Sequence, residues 1–183
     1  AMTRGRTRKA GILIGSRSVL RGHGGIGPGV SRFHQEGLRR VHMARPGSRF
    51  SVRGVRIEPF PARHSDRTAV GYRIRDPDGV ISYTGDTSPF RALTGHLGSA
   101  RVLVISNTRP RDAGIPHHMS TDDTARIVGE VRPELAVMTH FGLKVLRGDP
   151  EAEASWVEEV TGVRTVAARD GMAVIIGKDL EVR

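Results

Sequence analysis

No cysteine occurs in the 183 residues, which rules out disulfides and thiolate metal sites and leaves histidine and carboxylate as the available metal ligands. Aromatic residues are sparse at 4%, too few for a platform on which nucleic-acid bases stack. There is no run of eighteen apolar residues, and the first ten are basic and glycine-containing rather than apolar. The expectation is a cytoplasmic chain with no membrane partner and no signal peptide. Lysine stands only at 9, 144 and 178, so the net charge of +10 is carried almost wholly by arginine. Guanidinium grips phosphate bidentately and favours an anionic partner, a phosphodiester substrate or nucleic acid. Most of these arginines are scattered along the chain, which is also the pattern of a general surface cation. Arg4, Arg6, Arg8, Lys9, Arg17 and Arg21 form the denser group, and residues 1–10 read as a basic, solvated arm.

The rest, residues 11–183, reads as one domain. Gly11 to Gly15 is a short buried strand, and the glycine-rich stretch from Arg21 to Gly29 is loop. Its Gly22-His23-Gly24-Gly25-Ile26-Gly27 lacks both a P-loop lysine and a helix cap, so a plain turn is favoured over a phosphate cradle. Strands follow at Val41 to Met43, at Arg49 to Ile57 with Gly54 at a turn, and at Val70 to Arg75 and Val80 to Tyr83. The last two are joined by the hairpin turn Asp76-Pro77-Asp78-Gly79. Ser88 with Pro89 predicts a capped short helix toward Leu97. Val102 to Ile105 is a buried strand. Ser120 or Thr121 caps a helix to about Val131, with Asp122 and Asp123 in its first turn. Another buried strand, Leu135 to Met138, precedes a helix from Glu151 to Val160. Strands at Val163 to Ala168 and Met172 to Ile176 meet at Asp170-Gly171. Strands first and strand–helix alternation afterwards predict a layered α/β domain.

Three pieces carry chemistry. Pro61-Ala62-Arg63-His64-Ser65, Tyr83-Thr84-Gly85-Asp86-Thr87 and Met138-Thr139-His140-Phe141-Gly142 each end an apolar run with a hard or borderline metal ligand. Ligands at strand ends can converge on one ion from separate loops. Singly, each is a common loop or turn sequence. In order, and with His117-His118-Met119-Ser120-Thr121 between the second and third, they resemble the later motifs of the metallo-β-lactamase superfamily, with ribonuclease Z and archaeal hydrolases of that superfamily as the nearest look-alikes. The resemblance runs from about residue 10 to 177. It implies an αββα sandwich with one or two metals, usually zinc and otherwise manganese or iron, at one edge of the sheets. It further implies that His64 is a terminal ligand of one metal, Asp86 a bridging carboxylate and His140 a ligand of the second metal. His118, with His117 beside it, is then the proton donor or phosphate contact, although the spacing to Ser120-Thr121 is one residue longer than in ribonuclease Z.

The family's defining His-x-His-x-Asp-His, which should precede the first strand, is found nowhere in the chain. The sandwich is therefore expected to be N-terminally incomplete and the metal weakly held or absent, either because the gene begins upstream of Met2 or because this is a degenerate form. The first is favoured, since His64, Asp86 and His140 are all retained. The function expected is a metal-dependent hydrolase, phosphodiesterase- or nuclease-like and weak or inactive as given; the alternative is a non-catalytic module binding nucleic acid or a protein partner. Missing strands would expose a sheet edge, so a homo-oligomer covering it is expected. His42 and His96 read as structural or surface groups, and His23 and His34 flank the glycine-rich segment.

Overall fold

The computed structural model describes residues 9–183. Its centre is a seven-stranded sheet built from β3 (Phe50–Val52), β4 (Val55–Pro61), β5 (Val70–Asp76), β6 (Gly79–Tyr83), β7 (Val102–Ser106), β8 (Leu135–Thr139) and β9 (Thr165–Ala167), in that spatial order. The first four are antiparallel neighbours, as hairpin connections allow, and β6 to β9 are parallel. Parallel strands need crossovers. These contain the helices α3 (Leu93–Leu97), α4 (Thr121–Val131) and α6 (Pro150–Thr161).

Pleating sends alternate side chains to opposite faces. Phe60, Leu103, Ile105, Ala136 and Met138 meet the helices in one core with Leu93, Leu97, Ile127, Val128 and Val157. A fully buried Leu or Ile contributes roughly 1.5–3 kcal/mol of transfer free energy, so this layer dominates stability. On the other face Val102, Leu135 and Val137 pack against Val174, Ile176, Leu180 and Val182, from the two-stranded antiparallel sheet β10 (Val174–Ile176) and β11 (Leu180–Val182). Near the other end of the same face lies the parallel pair β1 (Lys9–Gly15) and β2 (Leu38–Met43), whose crossover holds α1 (Arg17–Arg21) and α2 (Arg32–Glu36). Tyr72 Oη donates to the Ile14 carbonyl at 3.3 Å, tying this pair to the central sheet.

Strand positions agree closely with the sequence reading, and so does the α4 cap: Ser120 and Asp123 exchange hydrogen bonds in a capping box. Two points differ. Ser88 caps no helix; its backbone N–H and hydroxyl both donate to the Arg63 carbonyl, and α3 begins only at Leu93 with no side-chain cap. The strand expected to stop at Ile57 continues to Pro61. The turn at Asp170-Gly171 is present, and the strands it joins enter different sheets, β9 adding to the parallel edge of β8 while β10 pairs with β11. The short helices α1, α2 and α5 (Leu143–Arg147) have too few residues for an apolar period to show. Arg4, Arg6 and Arg8 of the basic arm lie outside the described residues, and β1 already begins at Lys9.

Candidate metal and catalytic site

β4, β6, β7 and β8 all run in one direction, since β5 is antiparallel to both β4 and β6 and the later pairs are parallel. Their C-terminal ends therefore share one edge of the sheet, and four loops leave from it. His64 follows β4, Asp86 follows β6, His117 and His118 sit in the loop after β7, and His140 follows β8. This is the edge at which open α/β sheets collect ligands.

All five predicted side chains come together there. His140 Nε2 lies 3.2 Å from Asp86 Oδ1. The His64 ring is 5.3 Å from that of His118 and 6.2 Å from that of His117, and the His118 and His140 rings stack at 6.1 Å. A cleft of about 380 Å³ opens beside them, lined by His64, Asp86 and His140 together with Tyr72 and Tyr83.

The residues around each ligand explain the motifs. In Thr84-Gly85-Asp86-Thr87 both threonines are buried. Thr84 Oγ1 accepts from the Ser106 N–H at 3.0 Å, locking the turn to the end of β7. Thr87 Oγ1 accepts from the Arg63 N–H at 2.9 Å, fixing the backbone next to His64. Gly85 has φ +61°, and a Cβ there would stand 2.9 Å from the Val70 carbonyl oxygen, so the turn that presents Asp86 admits glycine alone. After β8, a Cβ on Gly142 would be 2.5 Å from the Thr108 carbonyl oxygen, and the Gly142 N–H donates to that oxygen at 3.1 Å. The loops carrying His118 and His140 are thereby laid together. His140 and His117 adopt φ of +58° and +69°, conformations costly for a residue with a Cβ and characteristic of functional sites.

Ring hydrogen bonds set which nitrogens are free. Thr108 Oγ1 lies 3.3 Å from His118 Nδ1, and Ser65 Oγ 3.3 Å from His64 Nδ1. Nε2 of each is left for a ligand or proton. Burial, followed by repulsion from His64, holds the His118 imidazolium pKa below its ordinary value, with Asp86 pulling the other way. That shift favours the neutral imidazole. Burial also pushes the Tyr83 phenol up, and nearby Asp86 adds to this.

Sequence reasoning did not single out Ser106 or Asn107, and gave Tyr83 no role beyond opening the Asp86 motif. Ser106 Oγ reaches Asp86 Oδ1 at 3.4 Å. Asn107, fully buried, accepts from Thr124 Oγ1 at 2.7 Å and donates to the Arg109 carbonyl and Thr121 Oγ1, pinning the His117–His118 loop to α4. A Ser-Asn-Thr run closing an apolar strand was the available signal, but its partners lie across the fold.

Imidazole nitrogen and carboxylate oxygen are donors that suit zinc, manganese or iron. Among the described residues, however, no three His, Asp or Glu side chains are disposed to hold one ion together, and the Asp86–His140 contact engages two of the donors with each other.

A family model described as the beta-lactamase superfamily domain matches residues 16–141. An uncharacterised protein of Methanocaldococcus jannaschii is 31% identical over 95% of this chain and 65% of its own length. A metal-dependent hydrolase of Pyrobaculum calidifontis is 28% identical over 64% of this chain and 52% of its own. The chain thus spans between about half and two thirds of the length of these relatives. Among solved structures, a metallo hydrolase from Ignicoccus hospitalis superposes with a TM-score of 0.66 at 18% identity, over 96% of this chain and 70% of that one. A diphosphatase of the PhnP family gives 0.61 at 17%, over 93% and 60%. At such identities the structural likeness establishes the fold, and the metallo-β-lactamase architecture is common to this chain and its neighbours.

Proposed function

This chain belongs to the beta-lactamase superfamily, and from that premise we propose that it is a metal-dependent hydrolase of phosphodiester bonds whose ion is held weakly by residues 9–183 alone. The observation that carries the reading is the convergence of His64, Asp86, His118 and His140 from four loops at one sheet edge. The arginine-borne charge of +10 supports a phosphate-bearing substrate, as does the likeness to a diphosphatase. A bound divalent ion would supply Lewis acidity and an activated water. His64, Asp86 and His140 are its proposed holders; among the described residues no three such donors are grouped to hold one ion, which supports the weak binding proposed.

The chain's own contribution is positioning and proton handling. Asp86 is oriented by Ser106 and the rigid Thr84–Thr87 turn. His118, its neutral form favoured by burial, offers Nε2 to exchange a proton with the substrate or contact its phosphate. Tyr72 and Tyr83 wall the cleft.

Elemental analysis and hydrolysis of bis(p-nitrophenyl) phosphate test this. The expected result is less than one zinc, manganese or iron per chain as isolated, and slow turnover that rises with added Zn²⁺ or Mn²⁺ and disappears with EDTA. Turnover indifferent to EDTA overturns the metal dependence; tightly bound stoichiometric metal with fast turnover overturns the incomplete site. Chelator-indifferent, salt-sensitive nucleic-acid binding with no metal uptake at millimolar concentration would instead identify a binding module.

A further inference from the structure

A second cavity, of about 320 Å³, lies where the loop before β3 and the strands β4 and β5 meet the end of α3, and no residue lining it lines the histidine cleft. Its walls include Arg49, Glu58, Phe60, Arg73 and His96. Arg73 is on the helix-facing side of β5, between Glu58 of β4 and Ser82 of β6 in the ladder. Neither neighbour serves it. Glu58 Oε1 pairs with Arg49 Nε at 3.4 Å, and Ser82 Oγ donates to the Leu97 carbonyl at 3.3 Å. Arg73 Nε is buried with no hydrogen-bond partner, and among the described residues its guanidinium enters no ion pair.

Arg73 is half-buried, and an N–H donor buried without an acceptor is costly; an anion in the cavity would satisfy it. The rest of the wall suits one. His96 stacks on Phe60 with ring centroids 5.5 Å apart and planes 5° from parallel, which fixes its imidazole at the rim. Arg49 is largely exposed beside the cavity, paired with Glu58. With two guanidiniums against one carboxylate, the lining keeps a net positive charge.

We propose that this cavity is a binding site for a small oxyanion, a phosphate or carboxylate group, held by Arg73 with His96 as a second donor. Guanidinium meets both groups with a matching fork of donors, and the volume is at the small end for ligand pockets. The site is independent of the metal chemistry proposed for the histidine cleft, and its test avoids that chemistry.

The experiment follows the Arg73 side-chain Nε–H resonance of the full chain, in EDTA, during titration with sodium phosphate, sodium citrate and sodium chloride at matched ionic strength. A saturable shift with phosphate or citrate, absent with chloride, is expected; which of the two binds tighter names the source. Arg73→Met should weaken binding about tenfold or more, as loss of a charge-assisted contact does, read by calorimetry. His96→Phe, which keeps the stack and removes the donor, should weaken it several-fold and covers the case in which Arg73→Met does not fold. Glu58→Gln should tighten it. His140→Ala should leave it unchanged. The absence of a saturable shift, equal shifts with chloride, binding indifferent to both Arg73→Met and His96→Phe, or binding lost in His140→Ala would overturn the proposal.

Discussion

Asp86 and His140, 54 residues apart in sequence, stand at the ends of two parallel strands separated by β7, and Asp86 Oδ1 meets His140 Nε2 at 3.2 Å. That meeting needs a tight turn after β6 and a left-handed residue directly after β8, and both are present. The contact supports the cluster on which the proposed activity depends.

Replacing either partner should therefore remove metal-stimulated turnover while sparing the fold. For Asp86→Ala and His140→Ala the expected loss in kcat/KM is about 100-fold or more, above what removal of a supporting hydrogen bond causes. Both side chains are partly exposed, so unchanged circular dichroism should accompany it. Turnover within threefold of the parent in either variant would remove that residue from the site.

Gly142→Ala is predicted to cost about 1–3 kcal/mol of stability, the usual penalty of inserting a methyl group where none fits. The backbone conformation at Gly142 suits any residue; the obstacle is the Thr108 carbonyl 2.5 Å away. Urea unfolding reads the stability. A neutral effect would show that the two site loops can separate freely.

Asn107→Ala should destabilise by about 1–3 kcal/mol, because the buried Thr124 Oγ1 loses its acceptor. Turnover should fall with it even at temperatures where the variant stays folded, since the loop carrying His118 is no longer pinned. Unaltered kinetics would confine Asn107 to a packing role.

Asp66 links the parallel β1–β2 unit to the loop that carries His64. Burial alone would raise its carboxyl pKa, but the hydrogen bonds from Ser18 and from the Thr68 backbone and hydroxyl outweigh it and hold it below 3.8. A lowered folded-state pKa means that this carboxylate stabilises the fold above about pH 4 and stops doing so as pH falls through the folded value. Asp66→Asn should accordingly lower stability at pH 7 by about 1 kcal/mol and by progressively less as the pH drops below 4. An equal effect at pH 7 and pH 2.5 would contradict the linkage.

Self-association is proposed through the β1–β2 unit. Among the described residues this parallel pair has no third strand, although parallel sheets are normally buried on both faces. Ile26 and Phe33 near it are 78% and 60% exposed. Light scattering should report a dimer or larger, shifted toward monomer by Phe33→Ser; a monodisperse monomer would exclude it.

Much of this was legible in the chain because the signals are local. Val102 to Ile105 and Leu135 to Met138 read as buried strands since parallel strands covered on both faces are continuously apolar. Ser120 announced its helix because a capping box spans only four residues. Ser88 misled for the opposite reason: its donors are taken by Arg63, 25 residues earlier. The Asp170-Gly171 turn was legible as a local signal, but not that β9 would pair with β8.

The sequence by itself determined the ligand types, the order of the motifs and the layered α/β class, because each depends on residue identity and short-range periodicity. Only the tertiary structure decided that His64, Asp86, His118 and His140 share one edge, that Ser106 and Asn107 support them, and that Arg73 faces a cavity without a partner. Those facts depend on strand direction and cross-strand register, which arise from pairings between residues tens of positions apart and leave no trace in any short stretch of chain.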